Sequence, residues 1–444
     1  MVFIASEFLL GRRGKREIIL AAAGLFLTVA DMGVHASLLM DHYHLENAAS
    51  FAEYTLAQEA QLDEICARDD SVYRISQTSN RGGSFKTVNM NEGLCYGYMS
   101  ISGYLSTTDE RQLRLLQSLG YKTEANSRNV VQHSILASDS LLGVKYVLSP
   151  GPVDGLLKLE DYGTYNGKDT YQNPYALPFA FRFRKGKPVA PSKYEFLFTN
   201  DLYSELYGER VPLYQFVEAR TAESENTITY TLDLPEGNFV FYGTIPTPWD
   251  IEAELSVNGE YTIPYSCHAS PSLFSIPVKP GACEAVVTLS SGNVGFVNRQ
   301  DVVFVALDLD LLEKISREIG ERAADVISLG KKSVHIEVDH AEAGESLFVS
   351  LPYDEGLRVY RNGEQINVDV EGGCLYAISL LPGKNVIEIK YFPPFGVLGL
   401  LISALGLAGL ILCSSQRIRG GRCSALKLES NYTPSDKTGK CETS

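Results

Sequence analysis

Hydrophobic patterning divides this chain into two long apolar runs near its ends and a series of short alternating runs between them. The stretch from Phe392 to Cys413, FPPFGVLGLLISALGLAGLILC, carries no charge. At about 1.5 Å per helical residue it spans a hydrocarbon layer of roughly 30 Å. Its strongly apolar residues are together worth roughly −3 to −7 kcal/mol on the insertion scale. A second run, Ile18 to Met40, is opposed by Asp31, whose cost of roughly 2.5–3.5 kcal/mol brings insertion to near break-even or modestly favourable. Both read as transmembrane helices, over 17–40 and 393–413. A charge in such a run is costly, so Asp31 is singled out as an intramembrane polar residue. The plainer reading puts it near the outer interface or against another helix.

The flanks orient these spans. Arg12, Arg13, Lys15 and Arg16 precede the first, and Arg417, Arg419 and Arg422 follow the second. Positive residues mark the cytoplasmic side. The segments 1–16 and 414–444 are therefore expected inside, and everything between the spans outside. A rival reading takes the N-terminus as a secretory signal ending at Val34-His35-Ala36. Against it, the apolar Met1–Leu10 stretch reads like the tail of an earlier span, so the chain is expected to be the C-terminal part of a longer protein.

The middle alternates in type. Leu45 to Arg68 is polar and helix-compatible, and Ser71 to Ile75 is a short alternating strand. A loop rich in Gly, Ser, Asn and Tyr covers 89–107. A helix follows near Asp109–Leu119, with Thr108 or Asp109 as its cap. Ser138-Asp139-Ser140 precedes an apolar strand ending at Ser149. These predict a small α/β module over 45–195. Beyond residue 200 strands dominate, in a module over 200–308 and a membrane-proximal one over 331–391, with a helical interlude at 309–330. The two strand-rich stretches look alike. Asn258-Gly259 and Asn362-Gly363 are each a type I′ hairpin signal, and Pro280-Gly281 and Pro382-Gly383 follow about twenty residues later. The fold class expected is α+β: a mostly β ectodomain, with the α/β module and two β-sandwich-like modules held between two transmembrane helices.

Composition narrows the function. A net charge of −15 and a pI near 5.0 leave no basic patch for nucleic acid. The eight cysteines form no C-x-x-C pair, so zinc-ribbon and thioredoxin-like readings fail. A Cys267–Cys283 bridge competes with isolated buried thiols. No phosphate-binding glycine loop, H-E-x-x-H or G-x-S-x-G motif occurs. His35, His42 and His44 gather with Asp41 near the first span, where an interfacial polar patch outweighs a metal site. No metal or cofactor is expected. Tyrosine is abundant, at 25 residues against one tryptophan, Trp249. Tyr96, Tyr98 and Tyr104, in a Gly-rich loop, offer flat faces that can stack on sugar rings, and Lys145 could pair with a phosphate. Ordinary packing, or a core-edge role for Lys145, is the competing reading of each.

Several blocks in order resemble the YfhO family of bacterial membrane proteins. Asp70-Ser71-Val72-Tyr73-Arg74-Ile75 is similar to its D-x-x-Y-R-I strand, and Tyr96-Gly97-Tyr98 with Ser100 to Tyr104 to its Tyr/Ser-rich loop. Leu142 to Ser149 resembles the LGVKY block, and Tyr171 to Pro178 the Y-x-N-x-x-A-L-P block. Leu351 to Gly356, Leu381-Pro382-Gly383 and Tyr391 to Pro394 resemble its membrane-proximal part. The resemblance implies a relative of glycosyltransferases that move a sugar from a polyprenyl-phosphate carrier to an acceptor outside the cell. It associates the chain with glycosylation of lipoteichoic acid or a related envelope polymer. The family's acidic catalytic residue lies in an early outer loop, upstream of anything matched here, so no catalytic residue is assigned. The ectodomain is then expected to recognise acceptor or lipid-linked sugar. The alternative is a non-catalytic, membrane-anchored binding or scaffolding protein.

Overall fold

Alternating apolar and polar residues in Thr227–Asp233 and Glu284–Ser291 bury every second side chain along most of their length. The two strands pair antiparallel, from Thr227 opposite Ser290 to Asp233 opposite Glu284. They sit in a five-stranded sheet in the order Tyr261–Tyr265, Ala253–Val257, Glu284–Ser291, Thr227–Asp233, Ala219–Glu223. A four-stranded sheet of Leu273–Ser275, Phe239–Thr244, Val303–Asp308 and Tyr214–Phe216 shares a core with it, in which Tyr230, Leu232 and Leu289 meet Phe241, Phe274 and Phe304. The computed structural model describes residues 15–42, 48–78, 91–105, 107–123, 127–128, 134–247, 253–265 and 273–429. Trp249, Cys267 and His44 lie outside these, as do the side chains of Asp41 and His42.

The same plan recurs further along. A second five-stranded sheet runs Val326–Leu329, Ser333–Ala341, Gly383–Tyr391, Leu357–Arg361, Glu364–Ile366, which is the corresponding strand order. In both sheets the hairpin turns on an Asn-Gly pair with positive φ, 51° and 66° at Asn258 and Gly259, 53° and 86° at Asn362 and Gly363. Each asparagine donates its backbone N–H to a valine carbonyl of the next strand and accepts that valine's N–H on Oδ1, all at 2.8 Å: Val286 in the first sheet, Val386 in the second. The second sheet shares a core with Asp369–Glu371, Leu375–Ser379, Glu345–Pro352 and Ala180–Arg184. The last of these precedes the first sheet pair in sequence, and it lies within the stretch expected to form the α/β module.

Upstream, Arg74–Gln77 pairs parallel with Val144–Ser149, followed by antiparallel Asp169–Gln172 and Leu157–Lys158. Parallel neighbours need a crossover, and the helices Glu110–Ser118 and Leu136–Leu141 lie within it. Asp109 caps the first of these, accepting the Arg111 N–H at 2.8 Å. The helix Ala48–Arg68 buries Gln58, Gln61, Leu62 and Ile65 along one face. The helix Glu195–Tyr207 sends Phe198, Leu202 and Tyr203 into the largest core, which also takes Leu312, Ile315 and Ile319 from the helix Leu309–Gly320.

The helical interlude is shorter than expected. It ends at Gly320, because the chain then bonds to a strand: Arg182 N–H reaches Arg322 O at 2.8 Å and Ala324 N–H reaches Ala180 O at 3.0 Å. Val326–Leu329 continues as an edge strand. Cys66, Cys95, Cys283 and Cys374 are free thiols, and only Cys374 of the four is buried. Three of them thus sit at the surface where isolated buried thiols were expected.

These elements belong to one compact unit, Glu46–Tyr391. A separate unit, Met1–Leu45 with Phe392–Ser444, contains the helices Lys15–His42 and Gly396–Glu429. Within the first, Ala22–Met40 is long and apolar enough to cross a membrane, and its described side chains are exposed. The second contains the apolar run Gly396–Leu412.

Candidate functional site

The site grows from one arginine. Arg74 opens the parallel strand, and its N–H bonds to Gly143 O at 2.8 Å. Gly143 sits at φ 71° in the turn after the helix Leu136–Leu141, where a Cβ would come within 3.3 Å of Leu177 O. Only glycine takes this turn without strain, so the chain passes close to Arg74. The guanidinium donates from Nη1 to Leu142 O and, at 2.9 Å, to Ser350 Oγ, and from Nη2 to Ser350 O. The Phe179 ring centre is 5.7 Å from its carbon. Among the described residues no carboxylate pairs with it. Lost hydration pushes its pKa down to about 10.

Arg74 lines a cavity of about 290 Å³. The walls are the loop Tyr98–Ser102, the helix side chains Gln112, Leu115 and Leu116, and Leu142, Pro352, Cys374 and Leu375; Gly93 and Leu94 complete it. A Cβ on Gly93 would meet Tyr98 O at 2.8 Å, so this close loop approach needs glycine. The cavity is mostly apolar with a few polar groups, as small-molecule sites are. Tyr98, one of the lining residues, is anchored by its hydroxyl. Its hydroxyl accepts from Gln77 Nε2 at 2.9 Å, and Gln77 Oε1 accepts from the buried Lys168 Nζ at 2.5 Å. Lys168 Nζ also meets Gln58 Oε1 at 2.9 Å and Tyr54 Oη at 3.0 Å, and Gln77 Nε2 donates to Glu92. Burial raises the Tyr98 hydroxyl well above its ordinary pKa, and Glu92 adds to the rise, so Tyr98 stays neutral. Burial also pushes the Cys374 thiol up to about 11, which leaves it unreactive.

The residues singled out in sequence separate here. Tyr98 lines the cavity and also packs against the cluster of Leu62, Ile65, Ile75, Tyr146 and Leu148. Tyr96 ends the short helix Glu92–Tyr96 and packs, half-buried, against that same cluster, without lining the cavity. Tyr104 pairs through its backbone with Ser127, and its side chain lies outside the described residues. Lys145 stands apart from the cavity. Its Nζ is 2.5 Å from Asp69 Oδ2 and 3.2 Å from Ser71 Oγ, and 5.8 and 5.9 Å from the Tyr73 and Tyr146 ring centres. Burial of Asp69 works against its charge, but Lys145, Ser71 and Tyr146 outweigh it and hold the pKa at about 2. Asp31 is exposed on its helix, 3.7 Å from His35 Nε2. Among the described residues no cluster of His, Cys, Asp or Glu could hold a metal. Arg74, Gln112, Ser100 and Ser102 were not anticipated as lining residues. The available signal was Arg74 itself, a charge inside the Tyr-Arg-Ile strand.

The family description "Bacterial membrane protein YfhO" matches residues 1–188 and 209–403. The chain belongs to the YfhO family. No curated protein matches it. YfhO membership puts the chain's role at the bacterial membrane and cell envelope, in keeping with the exposed apolar helix Ala22–Met40. Some of the blocks on which the YfhO resemblance rested meet around Arg74. Leu142 and Gly143 bond to it directly, and Ser350, just before Leu351-Pro352, holds its guanidinium. Asn173 ties the next block in, donating from Nδ2 to Val144 O at 2.9 Å, while Leu177 N–H bonds to Ser140 O at 2.9 Å.

Proposed function

We propose that this YfhO protein takes part in glycosylating lipoteichoic acid or a related envelope polymer, and that the cavity beside Arg74 recognises the acceptor or the lipid-linked sugar. In this reading 46–391 lies outside the membrane, held by two spans whose ends are cytoplasmic. The basic flanks Arg12 to Arg16 and Arg417 to Arg422 support that orientation. The observation that carries the functional reading is the cavity's construction. An apolar pocket with a few polar residues, Tyr98, Ser100, Ser102 and Gln112, suits a ligand that is partly hydroxylated and partly greasy. Among its walls, Arg74, Tyr98, Ser100, Ser102, Leu142 and Pro352 fall in blocks that resemble the family.

The test is a deletion strain examined for sugar content of its teichoic-acid polymers, complemented with wild type, Gln112→Ala or Leu94→Trp. Leu94 is 77% exposed, so the tryptophan obstructs the mouth without disturbing the core. Deletion is expected to remove the polymer sugar, and either variant to restore less than wild type does. Unchanged polymer sugar in the deletion strain would end this reading.

A further inference from the structure

We propose that the turn 330–333 docks on anionic phospholipid headgroups, at the place where the chain leaves its last strand for the bilayer. This rests on the reading of 393–413 as a span and adds a surface of the folded unit that touches lipid.

The turn joins the strands Val326–Leu329 and Ser333–Ala341 of the second five-stranded sheet, and Gly330 N–H closes it on Ser333 O at 2.7 Å. The Lys332 carbonyl accepts the Tyr391 N–H at 3.1 Å. Tyr391 is the last residue of the strand Gly383–Tyr391, so the turn is fixed at the end from which the chain departs. Only 392–395 separate that strand from the apolar run Gly396–Leu412. Even fully extended, that connection reaches no more than about 18 Å. A span beginning there keeps this end of the sheet close to the headgroups.

The chemistry at this end departs from that of the chain, which carries a net charge of −15. Lys331 and Lys332 are exposed and form no ion pair among the described residues. The lysines on the strand Gly383–Tyr391 are neutralised by comparison: Lys384 by Glu337 and Asp339, Lys390 by Glu388. Leu329 and Tyr391, which flank the unpaired lysines, are both exposed. Lysines attract acidic headgroups, and a tyrosine or leucine beside them settles at the interface. Asp354 and Glu355 also lie at this end, in the turn before Leu357. They stand across Tyr391 from the lysines, because Leu357 pairs with Tyr391 on the side away from Ser333–Ala341. A merely solvated turn would be indifferent to lipid charge, and that separates the two roles.

The experiment uses the full chain in nanodiscs whose phosphatidylcholine is brominated near the headgroup, with or without phosphatidylglycerol at a constant brominated fraction. Trp249→Phe removes the only tryptophan, and Leu329→Trp puts an indole beside the turn. Each lysine favours contact with a charged surface by roughly fivefold, so quenching of that indole is expected to rise about twofold or more with phosphatidylglycerol. Added salt should shrink the rise. Lys331→Gln with Lys332→Gln should abolish it, and Lys331→Arg with Lys332→Arg should keep it. All three positions are exposed, so none of these changes disturbs the core. Equal quenching with and without phosphatidylglycerol, or a rise that survives in the glutamine variant, overturns the proposal. Equal quenching is also the outcome if the lysines serve a soluble phosphate polymer instead. Leu405→Trp, within the apolar run, reports the span separately. If it is quenched while the turn shows no dependence on lipid charge, the headgroup contact falls and the span stands; if it escapes quenching, both fall.

Discussion

Asp139 offers the sharpest test of the fold's electrostatics. It lies in the helix Leu136–Leu141, 2% exposed, with every residue of that helix buried. Tyr121 Oη donates to Oδ1 at 2.6 Å and Ser134 Oγ to Oδ2 at 2.5 Å. No cation pairs with it among the described residues. Burial is the dominant influence, and although both hydroxyls favour the charged form, the pKa rises from 3.8 to about 6. A carboxyl that holds its proton more tightly folded than unfolded adds stability below pH 4, and that contribution is lost as pH climbs through 6. The shift of about two units amounts to about 3 kcal/mol by pH 8 and about 0.5 kcal/mol at pH 4. Asparagine mimics the protonated acid but leaves one extra N–H to satisfy, at about 1 kcal/mol. Asp139→Asn is therefore expected to stabilise by about 2 kcal/mol at pH 8 and to be neutral or slightly destabilising at pH 4. Pulse proteolysis across a urea series, on the detergent-solubilised chain at both pH values, measures the difference. A variant destabilised equally at pH 4 and pH 8 would refute the reasoning, because it would mean the folded carboxyl ionises as freely as the unfolded one.

Three further outcomes follow from the packing. Asn173→Ala removes bonds to Val144 O, Ser140 Oγ and the Tyr175 N–H at a site 2% exposed; the same proteolysis assay should show a loss of about 3 kcal/mol. Lys145→Met deprives Asp69 of its ion pair. Because the Asp69 pKa is depressed to about 2, its contribution is present above pH 4 and lost below, so the variant should be about 1 kcal/mol less stable at pH 7 and converge with wild type near pH 2. Gly120→Ala puts a Cβ 2.3 Å from Leu273 Cδ1 at a φ of 87°, and thermal unfolding should register a loss of about 2–4 kcal/mol.

Much of the architecture was readable along the chain because its signals are local. A charge-free run declares itself by length, the alternation in Thr227–Asp233 by its period of two, and the paired hairpins by Asn-Gly, which tolerates positive φ. Asp109 as a cap rests on its own side chain reaching two residues ahead. The helix Glu195–Tyr207 escaped notice because its buried face includes the polar Glu195 and Thr199 while Leu197 is exposed opposite, which blurs the apolar period. Lys145 looked like a free cation because its partner, Asp69, lies far back in sequence on the preceding segment.

The sequence by itself determined the apolar helices, the strand-rich character of the middle and the repeated hairpins, since each depends on residues within about ten positions of one another. The cavity and its arginine were decided by tertiary structure alone. Arg74, Leu142 and Ser350 meet only after a parallel strand pairing and the return of the strand Glu345–Pro352. Ala180–Arg184 joined that strand's sheet rather than its sequence neighbours because pairing obeys edge availability and burial, which span the whole fold. Whether a charged residue is a solvated surface group or the lining of a binding site depends on what the distant chain brings beside it, and no local pattern encodes that.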